Sequence, residues 1–320
     1  MKNNTLNFIK TIACAMVVFI HIKFPYEYGY YVTTLARFGV PFFFMISGYF
    51  SFKNVDNSKY IIRQIKKILK ISFLSFGFYL LFDIFINLEN FIFHLSLLFN
   101  FNNIKLFLFY NVLPCGMHLW YLFSLIYVYI IYYYFNCKLN KINILHYFTP
   151  VLILLCVLFE YLSYFDIFSI DTFKIRNYLF IGLPFFMLGN FIHKHENSFF
   201  IKSNNNLFFI IIGIVGLIIS LFEFYLTDYL DIYVGTVLFV FCLFIFAIKN
   251  PNIFNSENII CVIGEKYSLG IYVSHLFIIL FLGHFGNFGL NAWIVPFVVL
   301  IISLFSTWLY YFIMGKIIKN

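Results

Sequence analysis

"KTIACAMVVFIH", residues 10–21, is a run of mostly apolar side chains without glycine or proline, bounded by Lys10 and His21. A segment of this composition is expected to enter a bilayer as a helix, because only helices and closed barrels satisfy their own backbone there. Ionisable groups are expensive in that setting and face a bundle interior or a wet cavity. Eleven residues of α-helix advance about 16 Å and turn to within roughly 20° of three full turns. Lys10 and His21 therefore share one face at different depths. The plainer reading has Lys10 snorkelling to the inner headgroups and His21 resting at the outer surface. Spacing alone leaves both readings open.

Working outward, the same texture continues through all 320 residues, which are 63% hydrophobic, 24% aromatic and only 11% charged. A soluble domain would carry about a quarter charged residues. The chain is therefore expected to be all-α, a polytopic transmembrane helical bundle in one domain, 1–320. With about 20 apolar residues per crossing, spans are expected near 6–24, 31–51, 71–88, 118–136 and 146–164. Five more follow near 177–192, 207–225, 231–248, 267–285 and 292–313. That makes about ten helices. The first apolar run lacks a small-residue cleavage site and is expected to stay as a helix.

Charge placement sets the orientation. The net charge of +8 does not point to a nucleic-acid partner, since lysine and arginine of membrane proteins collect in cytoplasmic loops. With both termini cytoplasmic, the inner segments hold Lys53, Lys59, Arg63, Lys66, Lys67 and Lys70, and most later lysines as well. The outer loops keep Lys105, Lys174 and Arg176, beside Glu27, Glu89, Asp166, Asp171 and Asp228. Residues 89–117 are apolar but broken by Asn100, Asn102, Asn103 and Pro114. As a spanning helix they would invert every later loop, so they are expected to be interfacial or re-entrant. The six cysteines are scattered, without metal-ligand spacing, and read as small buried hydrophobes. No metal site is expected.

Several polar residues interrupt the apolar runs. In "ARFGVPFFFMISGYF" (36–50), Arg37 lies deep enough to need a partner. Pro41 cannot donate to the Arg37 carbonyl, and Ser47-Gly48 suits close helix packing. In "SKYIIRQIKKILK" (58–70), Arg63, Lys66, Lys67 and Lys70 make a cationic stripe at i, i+3, i+4 and i+7. That stripe reads either as an anchor on anionic lipids or as a phosphate clamp. "HLWYL" (118–122) sets His118 beside Trp120 and Tyr121, which suit an aromatic belt. "YSLGIYVSH" (267–275) sets Ser268, Tyr272 and His275 on one helical stripe, a hydrogen-bonding seam or a site. His193 and His195 read as solvated loop histidines.

Taken together these blocks resemble the integral-membrane acyltransferase family, acyltransferase-3, whose bacterial members O-acylate cell-surface glycans. The resemblance rests on Lys10-x10-His21, on Arg63-x-x-Lys66, and on "RFGVPFFFMISGYF", "HLWYL" and "SLGIYVSH" in that order. Lys10 stands where many relatives carry arginine, and Lys66 binds phosphate as a point charge instead of bidentately. The resemblance implies an O-acetyltransferase-like enzyme of the bacterial cytoplasmic (inner) membrane, with no permanently bound cofactor. Its partners would be cytoplasmic acyl-CoA (acetyl-CoA or another), a lipid-linked or surface glycan acceptor, and membrane lipids. His21 would be the catalytic base, suited near neutral pH, with Lys10 below it on the acyl path. Arg37 is the candidate for the developing oxyanion, with His118 or His275 as alternatives. Arg63, Lys66 and Lys67 would hold coenzyme phosphates, and His118, Trp120, Tyr272 and His275 would contact substrate. Asp83, Glu160 and Glu223 are the carboxylates weighed for orienting His21. A transporter or flippase for glycan or lipid intermediates is the competing reading, although no paired broken half-helices are evident in the sequence. A silent component of a polysaccharide-export complex is a third.

Overall fold

The computed structural model describes residues 3–52, 57–86, 96, 99–168, 171–198, 201–202, 205–286 and 291–317. Among these the regular structure is helical throughout. In chain order the helices are α1 (Asn4–His21), α2 (Tyr26–Ala36), α3 (Gly39–Ser51), α4 (Ser58–Ile86), α5 (Phe101–Tyr110), α6 (Trp120–Tyr133) and α7 (Ile142–Tyr164). They continue as α8 (Thr172–Ile175), α9 (Leu183–Lys194), α10 (Asn206–Thr227), α11 (Val234–Lys249), α12 (Ile259–Lys266), α13 (Ser268–Phe285) and α14 (Val295–Ile317). A 3₁₀ turn at Met117–Leu119 leads into α6, and π-helical turns occupy Tyr134–Lys138 and Tyr178–Gly182.

Among the described residues six helices are long and apolar enough to cross a membrane: Asn4–His21, Ser58–Ile86, Met117–Lys138, Ile142–Tyr164, Asn206–Thr227 and Val295–Met314. A seventh is the pair α12 and α13, bent by 80°. A bend of that size makes the pair a broken span or a re-entrant loop, which the sequence did not announce. The tally is smaller than the ten expected, for local reasons. The expected span 31–51 is two helices, because Pro41 carries no N–H for the Arg37 carbonyl and sits where a proline is tolerated, in the first turn of α3. The expected span 177–192 opens as a π-helical turn, capped by Asn177 Oδ1 accepting from Leu179 N at 2.8 Å, and continues as the 12-residue α9. The expected span 231–248 begins only at Val234, since Asp228 to Tyr233 form a connection.

Two other differences sharpen the membrane reading. The helical basic stretch is continuous with the span expected from residue 71, for α4 runs unbroken for 29 residues from Ser58. At 1.5 Å per residue that is roughly 43 Å, longer than the about 30 Å hydrocarbon core. In the 89–117 segment, residues 89–95 and 97–98 lie outside the described residues. The remainder contains α5, whose 10 residues are too short to span. Asn100 caps its start, and Asn111, at φ 61°, ends it.

The chain divides into two compact units. The first combines Met1–Phe43 with Phe199–Asn320. In it α1 is the hub: Cys14, Val18 and Phe19 pack with Ile271, Ile278 and Leu282 of α13 and with Val295 and Val299 of α14. A side chain at Gly264 of α12 would strike the Asn7 carbonyl of α1, so that crossing needs glycine. The second unit is Phe44–Ser198. There α3 and α9 touch backbone to backbone: a Cβ at Gly48 would collide with the Phe186 carbonyl, and one at Gly189 with that of Met45. The Ser47-Gly48 pair is thus a packing device. Asn190 seals the same contact, donating to Tyr132 Oη at 3.2 Å and receiving His146 at 3.0 Å.

Candidate active site

His21 is the last residue of α1 and is exposed. The ring of His275, from the second turn of α13, lies 5.1 Å away between centroids, tilted by 47°. His275 is fully buried, and its Nδ1 lies 3.2 Å from the Ile271 carbonyl oxygen. A carbonyl only accepts, so Nδ1 carries a proton, and in a neutral ring Nε2 would hold the lone pair. Tyr272 stands beside it, with ring centroids 6.0 Å apart. The Ser268–Tyr272–His275 stripe turns toward α1, since the Cys14 thiol donates to the Ser268 carbonyl at 3.4 Å. Lys10 is on the same helix, one turn before Cys14 and half-buried. The first unit thus brings together His21, His275 and Tyr272, with Lys10 further along α1.

Arg37, in the break between α2 and α3, has found its partner. Its Nη1 lies 2.8 Å from Asp231 Oδ1, with both side chains almost wholly buried. The guanidinium also stacks over Tyr229, 4.3 Å from the ring centre. Lys23 approaches that ring at 5.1 Å and the Tyr30 ring at 4.7 Å. Asp231, Tyr229 and Lys23 were not singled out from the sequence. A clue was present in "TDYLDIY" (227–233), a polar interruption between two apolar runs, but its distance from Arg37 along the chain hid the pairing.

Of the carboxylates weighed for His21, one has a defined setting. Glu223 accepts from the backbone N–H groups of Val234 (3.0 Å) and Gly235 (2.9 Å) and so caps α11. A carboxylate there also suits the positive end of the helix dipole. Asp83 and Glu160 belong to the second unit, the latter buried.

The remaining expected residues also lie in the second unit. Arg63, Lys66 and Lys67 are exposed along α4, while Ile61 and Ile68 of the same helix are buried, so the cationic stripe faces away from the core. His118 is buried, with its ring edge-on to Tyr79 at 4.9 Å. Trp120 is half-buried against Phe44, and Arg176 lies 6.0 Å from its ring centre. Among the described residues no group of three or more His, Cys, Asp or Glu is placed to hold a metal ion.

A family model described as an acyltransferase domain matches residues 3–312. The chain belongs to the acyltransferase-3 family. The match runs through both compact units. This membrane acyltransferase has no match among curated proteins or among solved structures. Chemically, the acyltransferase offers an exposed imidazole at a helix end, a buried imidazole beside it, and a guanidinium fixed by a carboxylate.

Proposed function

We propose that this acyltransferase moves an acyl group, acetyl in the simplest case, from cytoplasmic acyl-CoA to a hydroxyl of a cell-surface or lipid-linked glycan. It would work in the bacterial inner membrane with both termini on the cytoplasmic side. The observation that carries the reading is the exposed imidazole of His21 standing 5.1 Å from the buried ring of His275. A sugar hydroxyl is a poor nucleophile until a positioned base takes its proton. His21 removes that proton as the oxygen attacks the thioester carbonyl. The C–O bond forms, the C–S bond breaks, and the imidazolium returns its proton to the departing coenzyme thiolate. The products are the O-acylated sugar and coenzyme A. His275, with Nδ1–H committed to Ile271, presents Nε2 as an acceptor that orients the His21 ring. Arg37, held by Asp231, takes the charge that develops on the thioester oxygen. Lys10 is assigned to the acyl path, Arg63, Lys66 and Lys67 to the coenzyme phosphates, and His118, Trp120 and Tyr272 to contacts with substrate.

The test is reconstitution in liposomes with labelled acetyl-CoA and the host's surface glycan or its lipid-linked precursor. Label is expected on the glycan with the wild type, and a loss of at least a hundredfold in His21→Ala. Undiminished transfer by that variant would sink the role of His21. No transfer to any glycan, with movement of the lipid-linked precursor across the bilayer, would favour transport.

A further inference from the structure

The segment that follows His21, "IKFPYEYGYY" (22–31), carries more aromatic surface than the chemistry above uses. It is a tight turn that runs into the first turns of α2. Tyr26 holds φ 57°, a left-handed conformation unusual for a bulky residue, and a Cβ at Gly29 would collide with the Phe24 carbonyl. Phe24 anchors the turn inward, edge-on to Phe19 (5.1 Å) and Phe297 (5.4 Å). Phe19 and Phe24 bracket His21 in the chain, so the turn sits at the helix end that bears the imidazole.

On the outer side, Tyr26 is 80% and Tyr28 62% exposed, and both lean on Trp293, itself 42% exposed. The Tyr28 and Trp293 ring centres are 5.5 Å apart at 58°, those of Tyr26 and Trp293 6.5 Å at 45°. Trp293 is held by its own turn, in which its N–H donates to Asn291 Oδ1 at 2.9 Å. The rings thus form an open wedge, and the exposed Glu27 stands between the two tyrosines in the chain. An aromatic belt in lipid headgroups needs neither a left-handed backbone nor tyrosines braced on one tryptophan. A pyranose ring presents an apolar C–H face and a rim of hydroxyls, which calls for this combination of aromatic floor and polar edge.

We propose that Tyr26, Tyr28 and Trp293 form the platform on which a sugar ring of the acceptor glycan stacks, with Glu27 hydrogen-bonding its hydroxyls. The platform deepens the acyltransferase reading and rests on it for the identity of the acceptor. It delivers a neighbouring hydroxyl to His21.

Two measurements test it separately from the activity. In the first, oligosaccharides cut from the host's own surface polysaccharide are titrated into detergent-solubilised wild type, Tyr28→Ala and Trp293→Ala, with tryptophan fluorescence and calorimetry as readouts. Saturable binding in the wild type, weakened about three- to tenfold by Tyr28→Ala and lost from the fluorescence of Trp293→Ala, supports the platform. Equal binding by all three proteins overturns it. So does absence of binding combined with brominated-phospholipid quenching that disappears in Trp293→Ala, because the rings then belong to the lipid interface. In the second, the acceptor KM of Tyr28→Ala is expected to rise about three- to tenfold, with kcat and the acyl-CoA KM unchanged. A merely structural turn would instead lower kcat or the yield of folded protein. If the wild type transfers nothing, the activity reading falls while the binding measurement still decides the platform.

Discussion

Arg37 illustrates what a single residue must satisfy in this molecule. An almost wholly buried guanidinium is tolerable only with a partner, and Asp231 supplies one at 2.8 Å while Tyr229 covers the planar face. Removing one member leaves the other charge uncompensated, so Arg37→Met is expected to cost about 3–5 kcal/mol in thermal or denaturant unfolding in detergent. The double variant Arg37→Met, Asp231→Leu should recover most of that stability, because an apolar pair of similar volume replaces the ion pair. The catalytic assignment adds a second readout. Acyl transfer stays lost in the stabilised double variant if Arg37 serves the oxyanion, and returns if the pair only holds the fold. "ARF" announced the need for a partner, since arginine inside an apolar run is costly. It could not announce which partner, because Asp231 lies almost two hundred residues away.

At the scale of elements, backbone limits decide where helices end and how closely they cross. Pro41 splits one apolar run into α2 and α3, and Glu223 starts α11 by capping its first two N–H groups. Glycine sets the closest crossings. In α3 a Cβ at Gly48 would enter the Phe186 backbone, whereas one at Gly77 of α4 would meet nothing within 4 Å. Gly48→Ala should therefore destabilise the protein by about 1–3 kcal/mol through overpacking. Gly77→Ala should leave it unchanged or up to about 1 kcal/mol more stable, since alanine is the better helix former. Melting curves of the two variants in one detergent make the comparison. A matching loss in both would remove the close-contact explanation. The small residues of "ISGYF" were readable as packing glycines from composition, but their counterpart Gly189 emerges only from the fold.

At the scale of the molecule, apolar length and the stripe on α4 carry the membrane reading. Ile61 and Ile68 point inward while Arg63, Lys66 and Lys67 face out, at the end of a helix longer than a bilayer core. If that stripe holds the coenzyme's phosphates, Arg63→Ala, Lys66→Ala should weaken coenzyme A binding about tenfold and flatten its salt dependence. Calorimetry at two ionic strengths checks this, and equal affinities would leave the stripe as a lipid anchor. Helical class, membrane character and the family were legible along the chain. Hydrophobicity and short motifs are local properties, and a bilayer reads them locally. The number of full-length helices was less legible. Stretches 31–51, 177–192 and 231–248 are apolar enough to span, and hydropathy does not register the proline, the asparagine cap or the carboxylate cap that shorten the helices within them.

By itself the amino-acid sequence determined that this chain is a helical membrane protein, that Lys10 and His21 share one helix, and that its motifs follow those of a membrane acyltransferase. These follow from composition and from the 3.6-residue turn, which act over a few residues at a time. Only the tertiary structure decided that His275 stands beside His21, that Asp231 neutralises Arg37, that Glu223 caps a helix, and that Tyr28 leans on Trp293. Those pairings join residues distant along the chain. Their reason is desolvation: a buried charge or an unpaired helix end must find a complement in space, and which one it finds is settled by packing.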